Sequence, residues 1–226
     1  MISVQVHETA LQERIDSVIR LIDETHPAPR PAQPSLPGPI SREARGLAIV
    51  LLFAAYEHLL TSLTRSLLET AIRLRVSNRR LRPGFRAFAF AGTARSIKDL
   101  SEKKLYSHGL PRLVLDADPG GRICTIDPNS FPSDGSFMKT SQITVWCNLF
   151  DIPSPHLLLH RTWNTIDAVV SERNGVAHGR LTADEVGRRY TEPELRQLID
   201  DWRDDWLDFL KAVGQRAASR DFYRTP

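Results

Sequence analysis

The chain has 226 residues, 41% of them apolar and 25% charged, with a formal net charge of +3. That length fits one large domain or a domain carrying an insertion, and the apolar share allows a sizeable core. Cys124 and Cys147 are the only cysteines and have no CxxC spacing, which excludes a disulfide framework and argues against a structural zinc site.

Charge is unevenly spread. Thr61–Lys104 holds eleven Lys or Arg against three acids, whereas Thr182–Asp208 holds nine acids against four Arg. A basic half beside an acidic half favours an anionic partner on one side, although each half alone reads as ordinary solvated helix surface. Met1–Ala10 contains Glu8 and lacks the basic and apolar regions of a signal peptide. The longest apolar run, Gly46–Tyr56, is followed by Glu57 and His58 and is too short to span a bilayer. The expectation is a soluble, cytoplasmic protein with no membrane segment.

From His7 to Thr25, Leu11, Ile15, Val18, Ile19 and Ile22 recur at helical spacing and predict a first amphipathic helix. His26–Ile40 then carries six prolines in fifteen residues, which no helix accommodates, so an extended loop is expected. Ser41 is placed to cap a long helix running to about Val76. Its stretch Leu47–Tyr56 is apolar nearly all round, so more than one side must be covered, by a bundle or by a second subunit. Arg73–Arg86 is basic, with a turn marked by Pro83-Gly84.

Arg112–Leu115 and Arg122–Ile126 are β-prone and flank Asp116–Gly121, which predicts a small hairpin. Residues 105–137 are taken as an insertion in a single domain of residues 1–226. Thr140 or Ser141 opens a helix to about Phe150, stopped before Pro153 and Pro155. Pro155–Ala177 is the next helix, with a seam of Leu159, Trp163, Ile166, Val170 and Ala177. The last helix opens with a capping box, Thr191-Glu-Pro-Glu194. Its apolar face is Leu195, Leu198, Ile199, Trp202, Trp206, Phe209 and Val213. The fold class expected is all-α.

The stretch Glu172-Arg-Asn-Gly-Val-Ala-His-Gly-Arg180 concentrates chemistry. An arginine grips phosphate oxygens bidentately and stays charged. A histidine trades protons near neutral pH. Arg173 falls on the apolar seam, where a charge must be paired, for instance with Glu57, or kept wet in a groove. Arg173 and His178 are about 140° apart on an ideal helix. They converge on one ligand only if the helix ends near His178 or a second copy supplies the partner. Asn174 lies four residues before His178 and shares its face. His156 and His160 have metal-binding spacing but no third ligand, and read as a polar face. No metal site and no cofactor are expected.

This motif resembles the Arg-x(4–6)-His signature of HEPN domains. Arg173-Asn-Gly-Val-Ala-His-Gly179 is similar to the ending of the HEPN motif helix. Leu51-Leu-Phe-Ala-Ala-Tyr-Glu57 resembles its upstream apolar helix, as in RiboL-PSP-type members, and Asn148–Ile152 before a helix also fits. The likeness covers roughly residues 41–78 and 138–213 and leaves out the proline-rich loop and the hairpin. It implies a bundle of about five helices that dimerises with the motif helices facing each other, and metal-independent ribonuclease activity. Carried over by position, Arg173 and His178 match the catalytic pair and Asn174 the polar residue after the arginine, with Glu57 in a supporting position. Some toxins of the family carry a modifiable tyrosine two residues after the histidine. Arg180 stands there in this chain, which argues against silencing by that route.

The function expected is therefore an endoribonuclease acting as a homodimer, as a toxin or phage-defence effector with a possible antitoxin partner. Arg79, Arg80, Arg82 and Arg180 would bind RNA. The alternatives are a non-catalytic HEPN module that binds RNA, nucleotide or a partner protein, and a purely structural dimerisation helix.

Overall fold

Helical periodicity is realised along most of the chain. The structure, a computed structural model, describes residues 2–26, 38–98, 100–117, 125–131 and 138–225. These form α1 (Val4–Thr25), α2 (Pro39–Arg73), α3 (Pro83–Lys98), α4 (Glu102–Lys104), α5 (Leu110–Ala117), α6 (Thr140–Leu149), α7 (Pro155–Leu158), α8 (Trp163–Ala177), α9 (Ala183–Gly187) and α10 (Glu192–Ala217). The all-α expectation holds, with no strand among the described residues.

The long second helix starts earlier than expected. Gly38 is its N-cap and Pro39 occupies its first position, where a fixed φ and a missing N–H cost nothing. Ser41 is therefore inside the helix. Its hydroxyl donates instead to the Thr25 carbonyl at 2.9 Å, tying the start of α2 to the end of α1. The helix ends at Arg73, just before Arg75 turns to φ 50. Most of the proline-rich loop lies outside the described residues.

α1 packs on α2 through Leu11, Ile15, Val18 and Ile22, all buried. α8, α9 and α10 cover other sides of α2. The α2–α9 contact is backbone against backbone. A Cβ on Gly46 would lie 1.9 Å from the Ala183 carbonyl oxygen, and one on Gly187 would lie 1.8 Å from that of Arg42. Only glycine permits this approach. By length and composition α2 could cross a membrane: its most apolar window has a mean hydropathy of 1.7. In the fold it is a core helix, with 56% of that window buried.

The capping box of α10 forms as expected. The Thr191 hydroxyl accepts from the Glu194 N–H, and the Glu194 carboxylate accepts from the Thr191 N–H at 2.8 Å. The seven apolar residues expected on its core face are all buried. Trp202, Trp206 and Phe209 meet Tyr56 and Trp146 in one aromatic cluster, in which Tyr56 stacks on Trp206 with centroids 5.1 Å apart. The Tyr56 hydroxyl donates to the Met138 carbonyl at 2.7 Å.

Two expectations fail. The helix expected over Pro155–Ala177 is broken into α7 and α8. The fully buried carboxylate of Asp205 accepts from the Arg161 N–H at 3.0 Å, the Thr162 N–H at 2.8 Å and the Thr162 hydroxyl at 2.9 Å. It thereby takes the backbone donors that open α8. His156 and His160 are consequently not a helical pair: His156 sets its ring edge against Trp163, and His160 lies in the turn, 3.8 Å from Asp205. The hairpin is also absent where it can be judged. Its first arm, Arg112–Leu115, is part of α5, which continues from α4 through a π-helical turn at Leu105–Gly109. Leu110 and Leu113 are partly buried, so the β-prone run follows a helical face. Much of the second arm lies outside the described residues, and Thr125–Ile126 are irregular. The broken helix and the helical insertion together make the helical segments more numerous than five.

Replacing Asp205 by Ala should cost about 3–5 kcal/mol, because buried donors and Arg161 lose their acceptor together. Asp205→Asn keeps one acceptor oxygen and should cost less. Urea unfolding midpoints measure both; an Ala variant as stable as the parent would refute this account of the helix break.

His7 generates a second expectation. It is buried, and that burial, with a smaller contribution from the charge of His58, lowers its pKa from the ordinary 6.5. The folded state thus binds this proton more weakly than the unfolded chain. Its stability is complete above pH 6.5 and declines as pH falls through 6.5 toward the folded value. Between pH 7.5 and 5.5 the unfolding midpoint should fall less in His7→Gln than in the parent.

Candidate functional site

Arg173 lies on the last turns of α8, facing α2, as the seam position required. Its side chain is 28% exposed. The guanidinium carbon stands 4.4 Å above the centroid of Phe53. Nη1 donates to the Asn174 side-chain oxygen at 3.0 Å, and Nη2 lies 4.0 Å from the Glu57 carboxylate, itself 21% exposed. Phe53 and Glu57 are four residues apart on α2, so one helix face supplies both the ring and the counter-charge. On its other side Phe53 meets the edge of Tyr56, so the platform under Arg173 is anchored in the aromatic core.

α8 ends at Ala177, with His178 as its C-cap. Gly179 adopts φ +66, the left-handed turn that closes many helices and that glycine enters without strain. The Arg180 and Leu181 N–H groups then return to the Gly175 carbonyl at 2.8 and 3.0 Å. The helix thus stops where convergence of the motif requires. His178 is exposed, and its ring makes no hydrogen bond or ion pair among the described residues. Arg173 thus meets Asn174 and, more loosely, Glu57, while His178 and Arg180 lie on the exposed turn that ends the same helix.

A second carboxylate braces the motif. Glu172, 5% exposed, accepts from the Tyr190 hydroxyl at 2.6 Å and from Arg189 at 3.1 Å. Burial, then the hydrogen bond and charge of Glu172, push the Tyr190 phenol above its ordinary range. These contacts pin α8 to the segment between α9 and α10. Sequence reading missed Glu172 and Tyr190, which carry no spacing signal. Phe53 was legible in principle, four residues before Glu57.

The basic segment is partly committed to structure. Arg82 donates through Nε to the Asp221 carbonyl at 2.7 Å, and its own N–H donates to the Tyr223 carbonyl at 2.9 Å. Arg86 donates to the carbonyls of Arg79 and Leu81. Arg79 and Arg80 are exposed, as are Lys103 and Lys104.

Comparison with protein-family models, with curated proteins and with solved structures finds no match to this chain.

Arg173→Ala should lower stability by about 1 kcal/mol, the scale of a partly exposed cation–π contact with a loose ion pair. His178→Ala should stay within about 0.5 kcal/mol of the parent, because an exposed turn residue without a partner contributes little. Equal losses in denaturant titrations of the two variants would contradict this division of roles.

Proposed function

We propose that this chain is a HEPN-type, metal-independent endoribonuclease acting as a homodimer. The observation that carries the reading is the motif's placement. Arg173 is held on Phe53 beside Glu57 with an edge left open, while His178 is presented on a glycine-closed turn at the end of the same helix. Arg173 grips the scissile phosphate and offsets the charge that builds on its oxygens. The adjacent ribose 2′-OH attacks phosphorus, the bond to the 5′ oxygen breaks, and a 2′,3′-cyclic phosphate remains. His178 moves a proton in that exchange, from the attacking hydroxyl or to the leaving oxygen. Asn174 orients the guanidinium or the phosphate, and Glu57 holds Arg173 in place when the groove is empty.

A dimer is favoured by the outer face of α2. Ile40 is 72% exposed, Leu47 45% and Leu51 40%, and their spacing of seven and four residues makes one stripe. Paired across a dyad, two such faces would bring both motifs to one groove. Exposed Arg79, Arg80 and Arg180 would attract the RNA backbone, so the affinity should depend on salt. In a cell such an activity suits a cytoplasmic toxin or phage-defence effector, restrained by an antitoxin protein.

One observation favours a second reading, a non-catalytic module that binds RNA, nucleotide or a partner protein. The contacts of Arg173 with Phe53, Glu57 and Asn174 already give it a structural role. The discriminating assay incubates purified chain with RNA in EDTA. Cleavage should leave cyclic phosphate ends and fall about 10²–10⁴-fold in His178→Ala. Arg173→Lys should not restore activity, since a point charge lacks the planar fork. A folded dimer that binds RNA without cutting it would hand the case to the second reading.

A further inference from the structure

We propose that a second cavity, distinct from the Arg173–His178 motif, is a binding site for a sugar phosphate. The cavity has a volume of about 430 Å³ and is lined by His7, His58, Thr61, Ser62, Arg65, Ser66, Pro128, Asn129 and Phe131. That volume suits a small organic ligand. It opens on α2, one to three turns beyond Glu57, with α1 on one side and the 128–131 loop on the other.

The donors fit an oxyanion. No carboxylate lines the cavity among the described residues. Arg65 reaches across to the Asn129 side-chain oxygen, which joins the loop to α2. One of its five N–H groups is used there, and among the described residues the others have no partner and remain for a ligand. The same bond orients the Asn129 amide so that its NH₂ remains a donor. Thr61 adds a hydroxyl and His58 a ring nitrogen. Arg14 on α1 stands close enough for its charge to act on His58, so the surroundings are cationic. Asp127, the nearby loop acid, accepts the Asn129 N–H at 2.9 Å and is not part of the lining. Guanidinium, imidazole, amide and hydroxyl donors around one space match phosphoryl oxygens.

The acceptors fit a sugar. His7 is held between two serines, with Nδ1 3.2 Å from the Ser62 hydroxyl and Nε2 3.0 Å from the Ser66 hydroxyl. Ser62 donates its own proton to the Leu59 carbonyl at 3.2 Å. With that proton on Leu59, Ser62 accepts from His7 Nδ1–H and Ser66 donates to Nε2, the tautomer this proposal takes. Both serine oxygens are left as acceptors at the cavity wall, since each hydroxyl proton is committed. They suit the hydroxyl groups of a sugar and repel a second anion. Phe131 and Pro128 close the apolar side. Donors at one end and acceptors at the other discriminate a phosphorylated sugar from a bare anion.

The test is calorimetric titration of the full chain with ribose 5-phosphate, supported by thermal shifts at millimolar ligand. Saturable binding to one site per chain is expected. Arg65→Gln and, as a variant that leaves the loop tie intact, Thr61→Val should each weaken it, the arginine change by about tenfold or more. His178→Ala should leave it unchanged. Adenosine 5′-monophosphate binding more tightly than ribose 5-phosphate identifies a nucleotide as the source of the sugar phosphate; equal or weaker binding identifies a free sugar phosphate. Absence of saturable binding, inorganic phosphate binding as tightly as ribose 5-phosphate, or loss of binding in His178→Ala each overturns the proposal. The titration uses no RNA cleavage, so its outcome is separate from that of the ribonuclease assay.

Discussion

The structure depends on burying a helix that is apolar nearly all round. No single neighbour covers such a helix, and α2 is enclosed by α1, α8, α9 and α10. Each neighbour meets a different face with different chemistry. α1 offers a ladder of aliphatic side chains. α9 closes backbone to backbone where Gly46 and Gly187 leave no room for a Cβ. α10 brings tryptophans, and α8 brings a charge. The face that remains, with Ile40, Leu47 and Leu51 in its first half, carries His58 and Arg65 in its second half. The change of chemistry along that stripe separates an apolar surface from the mouth of a polar cavity.

The start of α8 is held by a buried carboxylate on another helix. Asp205 satisfies the donors at the α8 start from the core side of α10. A buried carboxylate that accepts four hydrogen bonds is strongly directional, since each misaligned bond leaves a costly buried group. At the other end, Gly179 stops α8 and Leu181 returns over Gly175. The motif helix is thus bounded by two devices, one electrostatic and one conformational. Between them Glu172 is fastened by Tyr190 and Arg189. Arg173, the next residue, is held by a helix that is fixed at both ends.

Much of this was legible in the sequence where the signal is local. The α10 capping box and apolar face, the α6 boundaries and the end of α8 near His178 all rest on spacing within one or two helical turns. What was illegible depends on partners far along the chain. Nothing near Leu159 announces a helix break, because the cause is Asp205, more than forty residues away in a row of aspartates where it looks solvated. The run Arg112-Leu-Val-Leu115 is β-prone alone, yet the helix entering from Ser101 carries it along. The start of α2 was misplaced because Ser41 is a good cap and Pro39 is a better first residue. For the candidate site, an acid such as Glu57 was one of two ways to accommodate Arg173 on the seam, and the 4.0 Å contact corresponds to that option, whereas Phe53 was seen only as core.

Arg173 is where structural and chemical demands meet, and magnitudes decide how they are shared. The Phe53 contact contributes about 0.5–1 kcal/mol at a partly exposed position. The Glu57 pair, at 4.0 Å with both partners partly exposed, contributes less than about 1 kcal/mol. A phosphate that accepts two charge-assisted hydrogen bonds gains about 1.5–3 kcal/mol from each. Under the proposed function such a ligand would outcompete Glu57 without displacing the guanidinium from the ring, because stacking uses the flat face and hydrogen bonding uses the edge. The weak pair and the ring contact together hold the arginine in a geometry that a phosphate can take over with little reorganisation. A lysine at the same position would keep the charge and lose the plane, and with it the division between a face that stacks on Phe53 and an edge that forms hydrogen bonds.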